Sequence, residues 1–140
     1  MLTPVLFEAV RSLFTADSGG LPTMVTALQT EHGQDTLALP YIILSVQDDA
    51  ESDTFAEDES DAMFAFNVYV TRSGGPVGSS VRSITSRIRT VYHRVTSGAV
   101  TYNGKSYLVR FRRIGGMFVP EESSVFHWAE QYAAMIVRNV

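Results

Sequence analysis

Asp49, Glu51 and Asp53 stand at alternate positions of the stretch "QDDAESDTFAEDESD" (47–61), the spacing with which a calcium loop presents its first three ligands. Such a loop also needs glycine at its sixth position and glutamate at its twelfth, where this chain has Thr54 and Ser60. The run is therefore read as a solvated or interfacial loop, with no metal. His32, His93 and His127 show no i+4 pairing and no HExxH spacing. His93 falls near the end of a predicted helix, where the helix dipole favours a cation. No GxSxG elbow marks a serine nucleophile, and the glycine pairs 19–20, 74–75 and 115–116 match neither a P-loop nor a dinucleotide fingerprint. The chain has no cysteine, which excludes thiolate chemistry, disulfides and cysteine zinc sites. These residues predict neither an enzyme nor a cofactor.

The charges themselves are the stronger signal. Asp48, Asp49, Glu51, Asp53, Glu57, Asp58, Glu59 and Asp61 lie together without an intervening Lys or Arg. Residues 1–61 hold twelve acidic side chains against Arg11 alone, whereas residues 62–120 hold nine basic side chains and no acid. A net charge of −4 conceals this segregation, which implies a charged partner or a neighbouring copy of the chain. In a head-to-tail, heterologous contact, the acidic residues would face Arg82, Arg87 and Arg89, or Arg110, Arg112 and Arg113, of the next copy. Charge compensation within one chain is the simpler alternative.

The elements that must carry these residues follow from periodicity. The 140 residues, 45% of them hydrophobic, predict one domain, 1–140, with 47–61 as an acidic loop. No apolar run reaches the length of a membrane span and no signal-peptide plan is seen, so a soluble, intracellular protein is expected. Thr3 as N-cap and Pro4 begin a helix whose stripe is Leu6, Ala9, Val10, Leu13 and Phe14. A short amphipathic turn is expected over 22–31. "LPYIILSV" (39–46) and "AMFAFNVYVTR" (62–72) read as strands, the second with Phe64, Phe66, Val68 and Val70 on one face. Residues 77–95 give a helix with Val81, Ile84, Ile88, Val91, Tyr92 and Val95 inward. Asn103-Gly104 is a two-residue hairpin turn. Residues 115–124 read as a loop. Residues 125–137 suit a helix or a strand, and a strand interrupted by Glu130 is favoured. The expected fold is α+β, a mostly antiparallel sheet of about four to five strands with helices packed on one face.

Tyr92, Tyr102, Tyr107 and Phe111 lie within the basic region, which keeps a nucleic-acid-binding α+β domain open as an alternative. The acidic whole chain and the lack of an RNA-recognition signature weigh against it.

In order and spacing, the chain resembles the tail-completion proteins, the tail-terminator family of long-tailed bacteriophages. The resemblance lies in "PVLFEAVRSLF", then "LPYIILS", then "FAFNVYVTRSGG" running into "VRSITSRIRTVYH", then the "VTYNGKSYLVRFRR" hairpin and a last strand with an aromatic near its start. The long acidic loop and the aromatic-rich last run depart from the family pattern. The resemblance implies a structural virion protein of the tail or neck, assembled in the host cytoplasm as a ring, usually hexameric. That ring would cap the tail tube, stop its polymerisation and join it to the head connector or a head-completion protein. DNA would pass non-specifically through its lumen. The acidic loop would then face either a neighbouring subunit, the preferred placement, or the lumen. Another neck or head-completion protein of the particle is the nearest alternative.

Overall fold

The computed structural model describes residues 2–30, 39–51, 60–71, 77–120 and 125–139, with 48–51 and 77–80 by backbone alone. In chain order the elements are α1 (Thr3–Ala16), α2 (Leu21–Met24), β1 (Leu28–Thr30), β2 (Tyr41–Glu51), β3 (Ser60–Thr71), α3 (Val77–Tyr92), β4 (Val100–Tyr102), β5 (Lys105–Val119) and β6 (Val125–Arg138). The strands form one sheet of six, ordered β1-β2-β3-β6-β5-β4. The α+β class agrees with the sequence, but the sheet has more strands than expected and is mixed. β1 runs parallel to β2, and the other pairings are antiparallel.

Alternation sorts the sheet into two faces. Phe64, Phe66, Val68 and Val70 of β3 are buried beneath the helices, as their period-2 spacing predicts. Val109 and Phe111 of β5, with Tyr132, Ala134 and Ile136 of β6, continue this inner face. Against it pack Val5, Leu6, Ala9 and Val10 of α1, and Val81, Ile84, Ile88 and Tyr92 of α3. Phe66 sits at the centre, its ring centroid 4.7 Å from Tyr92 and 5.3 Å from Tyr132.

Six local expectations change. The N-cap of α1 is Leu2, which makes no side-chain cap bond but buries its own side chain in the core. Thr3 therefore begins the helix. The stretch 22–31 divides into α2 and the short β1. α3 stops at Tyr92 because Arg94 takes a left-handed conformation (φ 61°) and donates its N–H to Phe111 O. Residues 115–119 belong to β5: the strand passes its glycines through a bulge between Arg113 and Gly115, then stays paired with β6 as far as Val119–His127. The acidic loop is also shorter than 47–61. β2 runs to Glu51 and β3 begins at Ser60, with Glu51 opposite Ser60. Residues 125–137 are strand throughout, and Glu130 does not interrupt them. The hairpin is as expected, with positive φ at both Asn103 (51°) and Gly104 (74°).

Candidate assembly interface

The acidic residues gather at one end of the sheet. Asp48, Asp49 and Glu51 lie on the last residues of the β2 backbone, and exposed Asp61 is the second residue of β3, between Ala50 and Met135. Asp53, Glu57, Asp58 and Glu59 lie outside the described residues.

The basic residues divide into two kinds. Arg87 is held within the chain: its guanidinium grips Asp17 through Nη2 on Oδ1 and through Nε on Oδ2, the latter at 2.9 Å. That bond, helped by the Leu21 N–H, outweighs burial and holds the Asp17 carboxyl below its ordinary pKa. Arg113 and Arg89 are likewise held, by Glu130. Arg82, Arg110 and Arg112 are exposed and make no ion pair with any described residue.

Glu130 lies on the inner face of β6 with no exposed surface. Arg113 reaches it with two bonds, Nε to Oε2 at 2.8 Å and Nη2 to Oε1 at 3.1 Å. Trp128 Nε1 donates to Oε1 at 2.9 Å, and Arg89 Nη2 approaches the same oxygen at 3.4 Å. Burial alone would raise the carboxyl's pKa, but the bonds from Arg113, Trp128 and Arg89 together hold it below the usual range. The cluster needs room on β5: a Cβ on Gly116 would lie 2.6 Å from Glu130 Oε1 and 2.8 Å from Trp128 Cζ2. Next to it opens a cleft of about 500 Å³ between α3 and the start of β6, lined by Val81, Arg82, Thr85, Arg89, Phe126 and Trp128.

The sheet's other face is more polar near β2 and more apolar near β5. Asn67 donates its amide to Ile43 O (3.0 Å) and Ser45 Oγ (2.8 Å), which turns its Oδ1 toward His127 Nε2 at 2.8 Å. His127 therefore donates there from Nε2. Its ring stacks on Tyr69, which in turn stacks on Tyr41. Exposed Met63, Met117 and Met135 lie on this face, and a second groove of about 620 Å³ runs past Asp61, Met63, Arg94, Arg110, Arg112 and Met135. His93 caps the end of α3, where its Nδ1 accepts the Arg113 N–H at 3.0 Å.

Among the described residues no group of three or more His, Asp or Glu side chains could hold a metal. No helix among them is long and apolar enough to cross a membrane. The sequence pattern pointed to the charged residues but missed Glu130, Trp128 and Gly116 as one cluster. The available signal was a carboxylate at a core-facing strand position within a chain whose basic half holds unmatched arginines.

No protein-family model matches the chain, and no curated protein matches it in sequence. Among solved structures, a chain from the virion of a native gene transfer agent particle is similar in fold. The two share 17% sequence identity at a TM-score of 0.55, over 94% of this chain and 93% of that chain. At that identity the likeness is one of fold.

Proposed function

We propose that this chain is a structural, non-enzymatic virion protein that assembles as a ring on the end of a phage-type tail tube, terminating its growth and joining it to the head. The observation that carries the reading is the end-to-end fold likeness to a virion chain, which leaves no large part of either protein unmatched. Two features of this chain support it. Its described polar clusters hold the fold together, and exposed Arg82 stands apart from the end of the sheet that carries Asp48, Asp49, Glu51 and Asp61. On this reading the partners are other copies of the chain, the tail tube protein and a head-completion or connector protein, and DNA crosses the lumen without sequence-specific contacts.

Electron-microscopy class averages of the purified protein, alone and mixed with tail tubes, test the proposal. Closed rings on one end of the tubes are expected. In the particle, loss of the gene should give overlong tails that fail to join heads. Normal-length, head-joined tails would sink the reading, and a ring seated on the head portal alone would favour a head-completion protein.

A further inference from the structure

The two exposed basic surfaces are not equivalent partners for the acidic segment, and chain geometry separates them. Glu51 and Ser60 are paired, so residues 52–59 leave and re-enter the sheet at the same place. With both ends tied there, the nine links between them reach at most about 16 Å from it. Asp61 and Arg110 flank Met135 from opposite sides, which puts Arg110 only two strand spacings, about 10 Å, from the acidic end. Arg110 and Arg112 are thus within reach of their own chain's carboxylates. The cleft on α3 is not. Its nearer wall, Arg89 against Glu130, is level with Phe66, six residues along β3 from Ser60 and so roughly 20 Å away, and Trp128, paired with Val68, is roughly 26 Å away.

We propose that this cleft, walled by Val81, Arg82, Arg89, Phe126 and Trp128, is the socket for the acidic segment of a neighbouring copy. The proposal deepens the ring reading above and rests on it. The chemistry of the cleft fits that occupant. Arg82 has no ion-pair partner among the described residues, and Arg89 keeps nearly half its side chain exposed beside Glu130. Glu130 adds no free negative charge, since Arg113 already holds it at both oxygens. Seven residues apart, Arg82 and Arg89 share one side of α3 at a spacing of about 10 Å. The segment "SDTFAEDE" (52–59) sets Phe55 midway in sequence between Asp53 and Glu57, which an extended chain separates by about 13 Å. An apolar floor with a cation at each end matches an aromatic side chain with a carboxylate on each side.

Trp128 is the chain's only tryptophan, so its fluorescence reports on the socket directly. The test titrates a synthetic peptide of residues 47–61 into the full chain at low salt, using a variant with its own acids neutralised (Glu57→Gln, Asp58→Asn, Glu59→Gln) to leave sockets vacant. A saturable change in Trp128 emission is expected. It should weaken about tenfold or more with Arg82→Glu and stay unchanged with Arg110→Glu. No binding in this titration, or equal loss with Arg110→Glu, overturns the socket. Sedimentation of the otherwise unmodified chain and of Arg82→Glu separates the two proposals. A ring that forms and survives Arg82→Glu overturns the socket and leaves the ring. Arg82-dependent peptide binding by a chain that never oligomerises, with or without tail tubes, overturns the ring and leaves the socket.

Discussion

Two buried polar side chains on β6 lie two residues apart and stand in opposite states. Glu130 has hydrogen-bond donors on both oxygens, whereas the Tyr132 hydroxyl is buried with no partner among the described residues. Burial and the Glu130 charge push the Tyr132 hydroxyl's pKa upward, so it stays neutral. The buried Tyr92 hydroxyl, by contrast, donates to Val10 O at 2.8 Å and ties α3 to α1. Tyr92→Phe should therefore cost about 1 kcal/mol in urea unfolding, while Tyr132→Phe should cost nothing or stabilise by up to about 1 kcal/mol. Equal losses at both positions would contradict this assignment. For Glu130 the pH dependence is specific. Its folded pKa is depressed, so its contribution is complete above the ordinary carboxylate range, near 4.3, and is lost as pH falls through the lower folded value. Glu130→Gln should cost about 3 kcal/mol at pH 7, the figure for breaking a buried pair from one side. The gap between variant and parent should close as pH drops toward 3. A gap that stays constant in urea midpoints from pH 7 to pH 3 would mean the carboxylate's charge does not matter.

At the scale of elements, legibility followed the range of the interactions. β3, α3 and the Asn103-Gly104 hairpin were readable because period and turn chemistry are local; Phe64, Phe66, Val68 and Val70, with Val81, Ile84, Ile88 and Tyr92, are buried as the spacing implied, whereas Val91 is only half-buried and Val95 lies beyond the helix. β1 was not readable. Three residues carry no period, and they become a strand only through parallel pairing with Ile42, Ile43 and Leu44. The Gly115-Gly116 pair looked like a turn but serves a strand, since Gly116 gives Trp128 and Glu130 of the next strand the space they fill. The candidate site divides in the same way. Charge segregation is visible in one dimension, but which arginines are already engaged is not. Arg87 meets Asp17 from 70 residues away and Arg89 meets Glu130 from 41, so local spacing gave no hint of either pair.

At the scale of the whole molecule, exposed arginines lie at two distances from the acidic end on a chain of net −4, Arg110 and Arg112 beside it and Arg82 far from it. The acids collect where β2 and β3 meet, and the α3 cleft with Arg82 and Arg89 lies toward the far end of β3. On the ring reading proposed above, copies repel on average, and a heterologous contact would set the Arg82 cleft of one against the acidic end of the next. A competing driving force is also present, since exposed Met63, Met117 and Met135 give the uncovered sheet face an apolar character. Salt distinguishes the two. Exposed charges are screened as the Debye length shrinks from about 10 Å at 0.1 M to about 3 Å at 1 M, whereas burial of methionine is not weakened by salt and is strengthened by sulfate. If charge sets the register, the assembled fraction at fixed protein concentration should fall steeply with rising sodium chloride. The loss should come chiefly from slower association, because opposed charges mainly steer encounter. Stopped-flow light scattering with sedimentation across that salt range measures both quantities. Assembly that holds steady in chloride and increases in sulfate would transfer the contact from the Arg82 cleft to the methionine face.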